Sequence, residues 1–209
     1  FQENWAEVTG ELLVGEKFFP GLAQVGNVLA AVVPSSPRPS SSACQTLYSV
    51  AISAAEHTIS ISNSYFVPNS DSVGLLVAAS ERGVNVRILV PGAINDVPMT
   101  KASGRTKFGQ LLRSGVKIYE YQPTMMHAKT MVVDGLFATV ASTNFDNRSF
   151  RYNDEIDLAM YDEAVAGRLQ QLFENDLGQA RPYTYQQWLH RPLLKRFTEW
   201  ILLPVRSQL

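Results

Sequence analysis

Two side chains stand two apart in the segment His127-Ala128-Lys129-Thr130-Met131-Val132-Val133-Asp134, and the segment reads as a strand. Residues i and i+2 of a strand share a face, so an imidazole and an ammonium are expected to project together. Asp134-Gly135 is a turn signal, and the apolar run Leu136-Phe137-Ala138-Thr139-Val140-Ala141 follows it. The pair predicts a hairpin that returns Ser142 and Asn144 to the mouth of the first strand. Glu155 opens a third strand, Glu155-Ile156-Asp157-Leu158-Ala159-Met160. Imidazole, cation, hydroxyl, amide and a carboxylate to orient the imidazole make one site suited to a phosphate.

The rest of the chain must position that hairpin. Val28–Val33 is a short apolar run between Gly26 and Pro34 and predicts a buried strand. Residues 34–42 are rich in Pro and Ser and predict a loop, in which Arg38 either meets a substrate phosphate or is solvated. A helix from Ser42 to about Glu56 presents Leu47, Val50 and Ala54 on one face, with Cys44 packed inside it and His57 at its end. Strands follow at Thr58–Ser62, Val84–Val90 and Val116–Tyr121. Helices lie between them, one capped by Asp71 and running to Arg82, the other from about Arg105 to Arg113. Asn63-Ser64-Tyr65-Phe66-Val67-Pro68 is a strand-exit loop, where α/β proteins tend to hold ligands. Glu163 to about Leu177 is an amphipathic helix closed by Gly178, and Tyr183–His190 a short helix. Seven strands alternating with helices predict an α/β fold, a mixed sheet with helices on both faces.

The spacing His127-x-Lys129, an Asp five residues after the Lys and Ser142-x-Asn144 fifteen residues after the His resembles the phospholipase D superfamily signature, the HKD motif. Glu155 matches the acidic residue that the family places later. The flanks Asn144-Phe145-Asp146-Asn147-Arg148-Ser149-Phe150 and Asn153-Asp154-Glu155 are similar to bacterial cardiolipin synthases. So are Tyr65-Phe66-Val67-Pro68, Gly83–Pro91 and Arg191-Pro192-Leu193. Ala141 stands where the family usually has Gly, and the chain carries one motif where cardiolipin synthases carry two.

That resemblance implies a phosphohistidine route. A neutral imidazole approaches an anionic phosphodiester with less repulsion than a charged nucleophile and splits the displacement into two steps. A second group protonates the leaving alkoxide and later activates the acceptor. By carry-over His127 is the acid/base, or either partner in a symmetric dimer. Lys129 and Asn144 bind phosphate with Ser142 assisting, Glu155 fixes the tautomer of His127, and Asp134 braces the hairpin. No metal and no cofactor are implied. The resemblance points to cardiolipin formation from phosphatidylglycerol. A phospholipase D-type hydrolase or nuclease using water, and an inert half-domain awaiting a second motif, stay open beside it. The second motif would come from a preceding N-terminal half, with residues 1–22 as its terminal helix, or from a homodimer partner. Residues 23–209 form the HKD domain in this reading.

Composition agrees with a globular enzyme. Of 209 residues 45% are hydrophobic, and 18 basic against 19 acidic residues give a net charge of −1. That balance offers no bulk attraction to nucleic acid, and phospholipid is the expected substrate. One cysteine forms no internal disulfide, and no run of membrane-spanning length occurs in the sequence. The expected place is cytoplasmic, peripheral at the inner membrane. The tail from Arg191-Pro192 onward is apolar on one side and carries Lys195, Arg196 and Arg206. It either lies in a membrane interface or docks on protein. Deleting residues 192–209 separates these: loss of liposome binding assigns the tail to the interface, and unchanged binding assigns it to packing.

Overall fold

The computed structural model describes residues 1–37 and 42–192. Arg38 and the tail helix expected beyond Pro192 lie outside the described residues. Among those described, eight strands form one mixed sheet: β1 (Leu29–Ser35), β2 (Thr58–Asn63), β3 (Asn85–Pro91), β4 (Lys117–Tyr121), β5 (Lys129–Val133), β6 (Phe137–Ala141), β7 (Glu155–Tyr161) and β8 (Ala180–Tyr183). Their order is β1-β7-β6-β5-β2-β3-β4-β8. The strands β2, β3 and β4 are parallel to one another, and every other pairing is antiparallel. Parallel neighbours require crossovers. Helix α3 (Ser70–Glu81) makes the first and α4 (Pro98–Arg113) the second.

Side-chain alternation divides the core between the two faces of the sheet. Ile59, Ile61, Ile88, Val90, Met131 and Val133 pack in one cluster with Tyr48 and Ile52 of α2 (Ala43–Ala54), Val73 and Leu76 of α3, and Phe108 and Leu111 of α4. Val132, Ala138, Met160 and Leu89 point the other way, toward Ala166 and Phe173 of α6 (Glu163–Leu177). Gly104 lets α4 rest on the loop after β2, because a Cβ there would lie 2.1 Å from the Phe66 carbonyl oxygen. The loop that α4 supports carries Ser64 and Tyr65.

Several boundaries differ from the sequence expectation. An eighth strand, Ala180–Tyr183, pairs with β4 where only the start of a short helix is predicted, and α7 itself is Tyr185–Leu189 behind a Thr184 cap. Its sequence, Ala-Arg-Pro-Tyr, has no apolar alternation to announce a strand; the open edge of β4 creates it. The predicted buried strand β1 is an edge strand, with Val32 60% exposed. An apolar run does not reveal whether a neighbour covers it. Helix α4 begins at Pro98, seven residues before the expected Arg105, with proline in the first turn. The cap of α3 is Asn69, whose side chain accepts from the Ser72 N–H at 2.9 Å, in place of Asp71. Helix α1 covers only Gln2–Thr9 of the expected 1–22, and none of its residues is buried.

The β5–β6 hairpin turns on Asp134 and Gly135, at φ 53° and 65°. Gly meets that left-handed requirement freely; Asp tolerates it. The Asp134 carboxylate also accepts from the backbone N–H groups of Glu56, His57 and Thr58 at 2.9, 2.8 and 2.6 Å. It therefore ties the hairpin to the start of β2. Burial alone would raise its carboxyl, but the three donors outweigh burial and hold it below the usual carboxylate range. A depressed folded value gives stability that is present above the unfolded pKa and lost as pH falls through the folded one. Asp134→Ala is expected to cost about 1.5–3 kcal/mol in denaturant unfolding at pH 7. The gap between variant and parent should narrow in acid.

Candidate active site

Lys129 opens β5 opposite Asn63 of β2. Its side chain is drawn inward, leaving the residue 8% exposed. The ammonium donates to Ser64 Oγ at 2.7 Å and to the His127 carbonyl at 3.1 Å. Ser64 Oγ donates onward to Asn144 Oδ1 at 2.9 Å. One hydroxyl thus joins the cation of the His-x-Lys segment to the amide of the Ser-x-Asn segment. Backbone contacts fix the same junction: the Ser64 N–H donates to the Ala128 carbonyl at 3.0 Å, and the Val67 N–H to the Phe145 carbonyl at 3.0 Å. Asn63 Oδ1 accepts from the Phe145 N–H at 3.0 Å. Desolvation lowers the Lys129 pKa, against the opposing pull of the Glu155, Asp146 and Asp96 carboxylates.

His127 lies just before β5 and is exposed. Its ring meets Tyr65 edge-on, with centroids 5.6 Å apart and planes at 77°. The Lys129 ammonium sits 5.7 Å from the same Tyr65 ring. The expected imidazole–ammonium pair is therefore gathered around a tyrosine, not set side by side on a regular strand. The Tyr65 hydroxyl donates to Asp96.

The expected Glu155–His127 hydrogen bond is not formed within this chain. Ser142 Oγ donates to Glu155 Oε2, and Asn153 Nδ2 donates to Oε1 at 3.2 Å. The Ile156 N–H donates to Ser142 Oγ at 2.9 Å. Glu155 and Ser142 are thus brought together across the β6–β7 mouth, with Asn144 beside Ser149 at 3.4 Å. Asp146 caps α5 (Asn147–Arg151), a short helix not expected from the sequence, by accepting from the Ser149 N–H at 2.7 Å. Burial pushes its carboxyl up to about 6, against the pull of that N–H. Asp134 stands at the other end of β5, clear of these groups.

Sequence reading passed over the residue beneath the Ser-x-Asn turn. Asp157, fully buried, accepts at Oδ1 from Thr143 Oγ1 at 2.7 Å and from the Thr143 N–H at 3.4 Å. Its burial raises its pKa. Asp157 Oδ2, Tyr48 OH and Thr139 Oγ1 are buried without hydrogen-bond partners among the described residues. An acid at an inward strand position, two after Glu155, was the available signal. Cys44 is buried in α2 as expected, and burial pushes its thiol up to about 11, which keeps it out of nucleophilic chemistry. Thr143→Val removes the donor and leaves the carboxylate of Asp157 less satisfied. Denaturant unfolding should show a loss of about 1–3 kcal/mol.

The sheet and the His-Lys-Ser-Asn cluster at the ends of its middle strands define a phospholipase D-like domain. The chain overlays a phospholipase D family member, Nuc, from Salmonella typhimurium with a TM-score of 0.66 at 22% identity, covering 76% of this chain and 99% of that one. It overlays the phosphatidylserine synthase of Haemophilus influenzae with a TM-score of 0.65 at 14% identity, covering 97% and 49%. A family model described as "Cardiolipin synthase, PLD-like domain" matches residues 48–177, and the chain belongs to that family. It is 32% identical over 201 residues to a cardiolipin synthase of Geobacillus thermodenitrificans, covering 95% of this chain and 40% of the relative. It is 35% identical over 181 residues to the major cardiolipin synthase of Bacillus subtilis, covering 87% and 37%. The chain spans about 40% of the length of the curated relatives it matches.

Proposed function

We propose that this chain contributes one half of a phosphatidyltransferase site that forms cardiolipin from two phosphatidylglycerol molecules and releases glycerol. The observation that carries the reading is the junction of Lys129 and Asn144 through Ser64, with the His127 carbonyl on the same ammonium, in a chain related over nearly its whole length to cardiolipin synthases. Lys129 and Asn144 hold the non-bridging phosphate oxygens, where preorganised donors stabilise the redistributed charge. In-line displacement needs groups on both sides of phosphorus. An opposing imidazole attacks, the bond to glycerol breaks, and His127 protonates the leaving alkoxide. The primary hydroxyl of the second phosphatidylglycerol then gives its proton to His127 and attacks phosphorus, and the phosphorus–nitrogen bond breaks.

The opposing motif comes from a preceding half or from a second copy of the chain. An apolar stretch of sheet left exposed among the described residues supports a partner surface beside the site. Val32, Leu158 and Val140 align across β1, β7 and β6 by register, Ile156 follows two residues away on the same face of β7, and all four remain 39–60% exposed. Glu155, held by Ser142 and Asn153, is then free of its own His127 to meet the imidazole of the opposing motif. Among the described residues no helix is long and apolar enough to cross a membrane. The lipid substrate places the site at the surface of the inner membrane.

The test uses the parent chain with its second motif supplied, after light scattering has established whether the 209-residue chain is itself a dimer. With phosphatidylglycerol vesicles, cardiolipin and glycerol should form in equal amounts. His127→Ala should reduce turnover by about 10²–10⁴-fold with unfolding unchanged. Turnover at the parent rate in that variant sinks the assignment of His127. Phosphatidic acid in place of cardiolipin makes the protein a hydrolase.

A further inference from the structure

The two ends of the sheet differ in what their connections expose. Strands β2, β3, β4 and β6 end, and β5 and β7 begin, at the end that carries Lys129, Ser142 and Asn144. The connections there hold Ile94 between β3 and α4, Met125 between β4 and β5, and Tyr152 between α5 and β7, while Met99 lies in the first turn of α4. These four side chains are 47–54% exposed. At the opposite end the short connections 55–57, 82–84, 114–116 and 134–136 present no large apolar side chain of comparable exposure. The exposed four also stand next to the site in the chain. Ile94 and Met99 bracket Asp96, which accepts from the Tyr65 hydroxyl; Met125 stands two residues before His127; Tyr152 adjoins Asn153, which donates to Glu155.

Charge narrows the partner. Arg148 and Arg151 of α5 are exposed, and neither pairs with a carboxylate among the described residues. The carboxylates around them already hold donors: Asp146 the Ser149 N–H, Asp154 the Asn4 amide, and Glu155 the Ser142 hydroxyl and the Asn153 amide. The contiguous stretch of β1, β7 and β6 suits a protein partner. Separate apolar tips beside exposed arginines suit the boundary of an anionic bilayer, where a tyrosine ring settles at headgroup depth. We propose that this end of the domain docks on an anionic lipid surface, with Ile94, Met99, Met125 and Tyr152 entering the boundary between headgroups and acyl chains and Arg148 and Arg151 meeting lipid phosphates. The docked pose sets the mouth of the site against the bilayer, so a lipid phosphate reaches it while the acyl chains stay out of water. That consequence rests on the phosphatidyltransferase reading above. The docking itself does not, and it is measured without turnover.

The experiment attaches one fluorescent reporter whose emission moves to the blue on leaving water. Cys44 is fully buried, so a thiol-reactive dye goes to an introduced cysteine. Ile94→Cys, Met125→Cys and Tyr152→Cys in the full 209-residue chain report on the rim, and Glu56→Cys, exposed at the opposite end, is the control. On phosphatidylglycerol vesicles the three rim probes should shift and the control should not. Arg148→Gln and Arg151→Gln should each weaken vesicle binding about fivefold at low ionic strength, an effect that shrinks in high salt. A chain that does not bind overturns the proposal. So do rim probes that stay in water while the chain sediments with vesicles, as attachment by the tail alone would leave them. An equal shift of the control overturns it too, as does a rim shift that grows with protein concentration without lipid, which marks a second copy as the occupant. Undiminished binding in both arginine variants overturns the choice of an anionic surface. Docking without cardiolipin formation supports the surface and counts against the function reading alone.

Discussion

The Lys129 ammonium is the constraint around which the site is assembled. Moving a lysine head group almost out of water is unfavourable unless donors find acceptors and carboxylates stand near. Here the acceptors are one hydroxyl, Ser64, and one carbonyl, that of His127. Both lie on chain segments that must be held still for the acceptors to serve. Ser64 is fixed because it extends the β2–β5 ladder and because its own proton goes to Asn144. The buried cation thereby dictates where the strand-exit loop and the Ser-x-Asn turn sit relative to each other. It also keeps a positive charge in a low-dielectric place, where it acts more strongly than it would in water.

The scaffold answers that demand in layers. Gly104 brings α4 against the loop that bears Ser64. Asn63 holds the backbone of Phe145, and Asp157 holds Thr143, so the turn carrying Ser142 and Asn144 is gripped from beneath at two points. Asp134 fixes the far end of the hairpin by three backbone hydrogen bonds. Polar residues buried in this way are worth their desolvation only where each meets a partner. Phe145 and Phe150 close the core under the site, with Phe145 edge to face against both Phe150 and Tyr48.

Residue types and spacing by themselves marked out the candidate set. His127, Lys129, Ser142, Asn144 and Glu155 were legible because each lies in or directly beside a strand of the hairpin or its neighbour, whose geometry follows from alternation and an Asp-Gly turn. The mixed sheet was legible for the same reason, since helices between strands force parallel neighbours and a hairpin forces antiparallel ones. Helix α6 was legible because an amphipathic stripe and Gly178 mark it locally, and the structure adds Asp162 as its cap.

Only the tertiary structure decided which of these groups touch. Ser64 and Asp96 reach the site from 65 and 31 residues away from their partners, Lys129 and Tyr65, and no local pattern encodes such a meeting. The partner of Glu155 changed from His127 to Ser142 and Asn153 because the imidazole lies outside the regular strand, against Tyr65, where the carboxylate does not reach it. The exposure of β1 and the existence of β8 were likewise settled by edges: whether a strand is covered, or an open edge recruits one, depends on what packs beside it. Sequence fixes the side chains that a strand offers to each face, and folding fixes what stands opposite them.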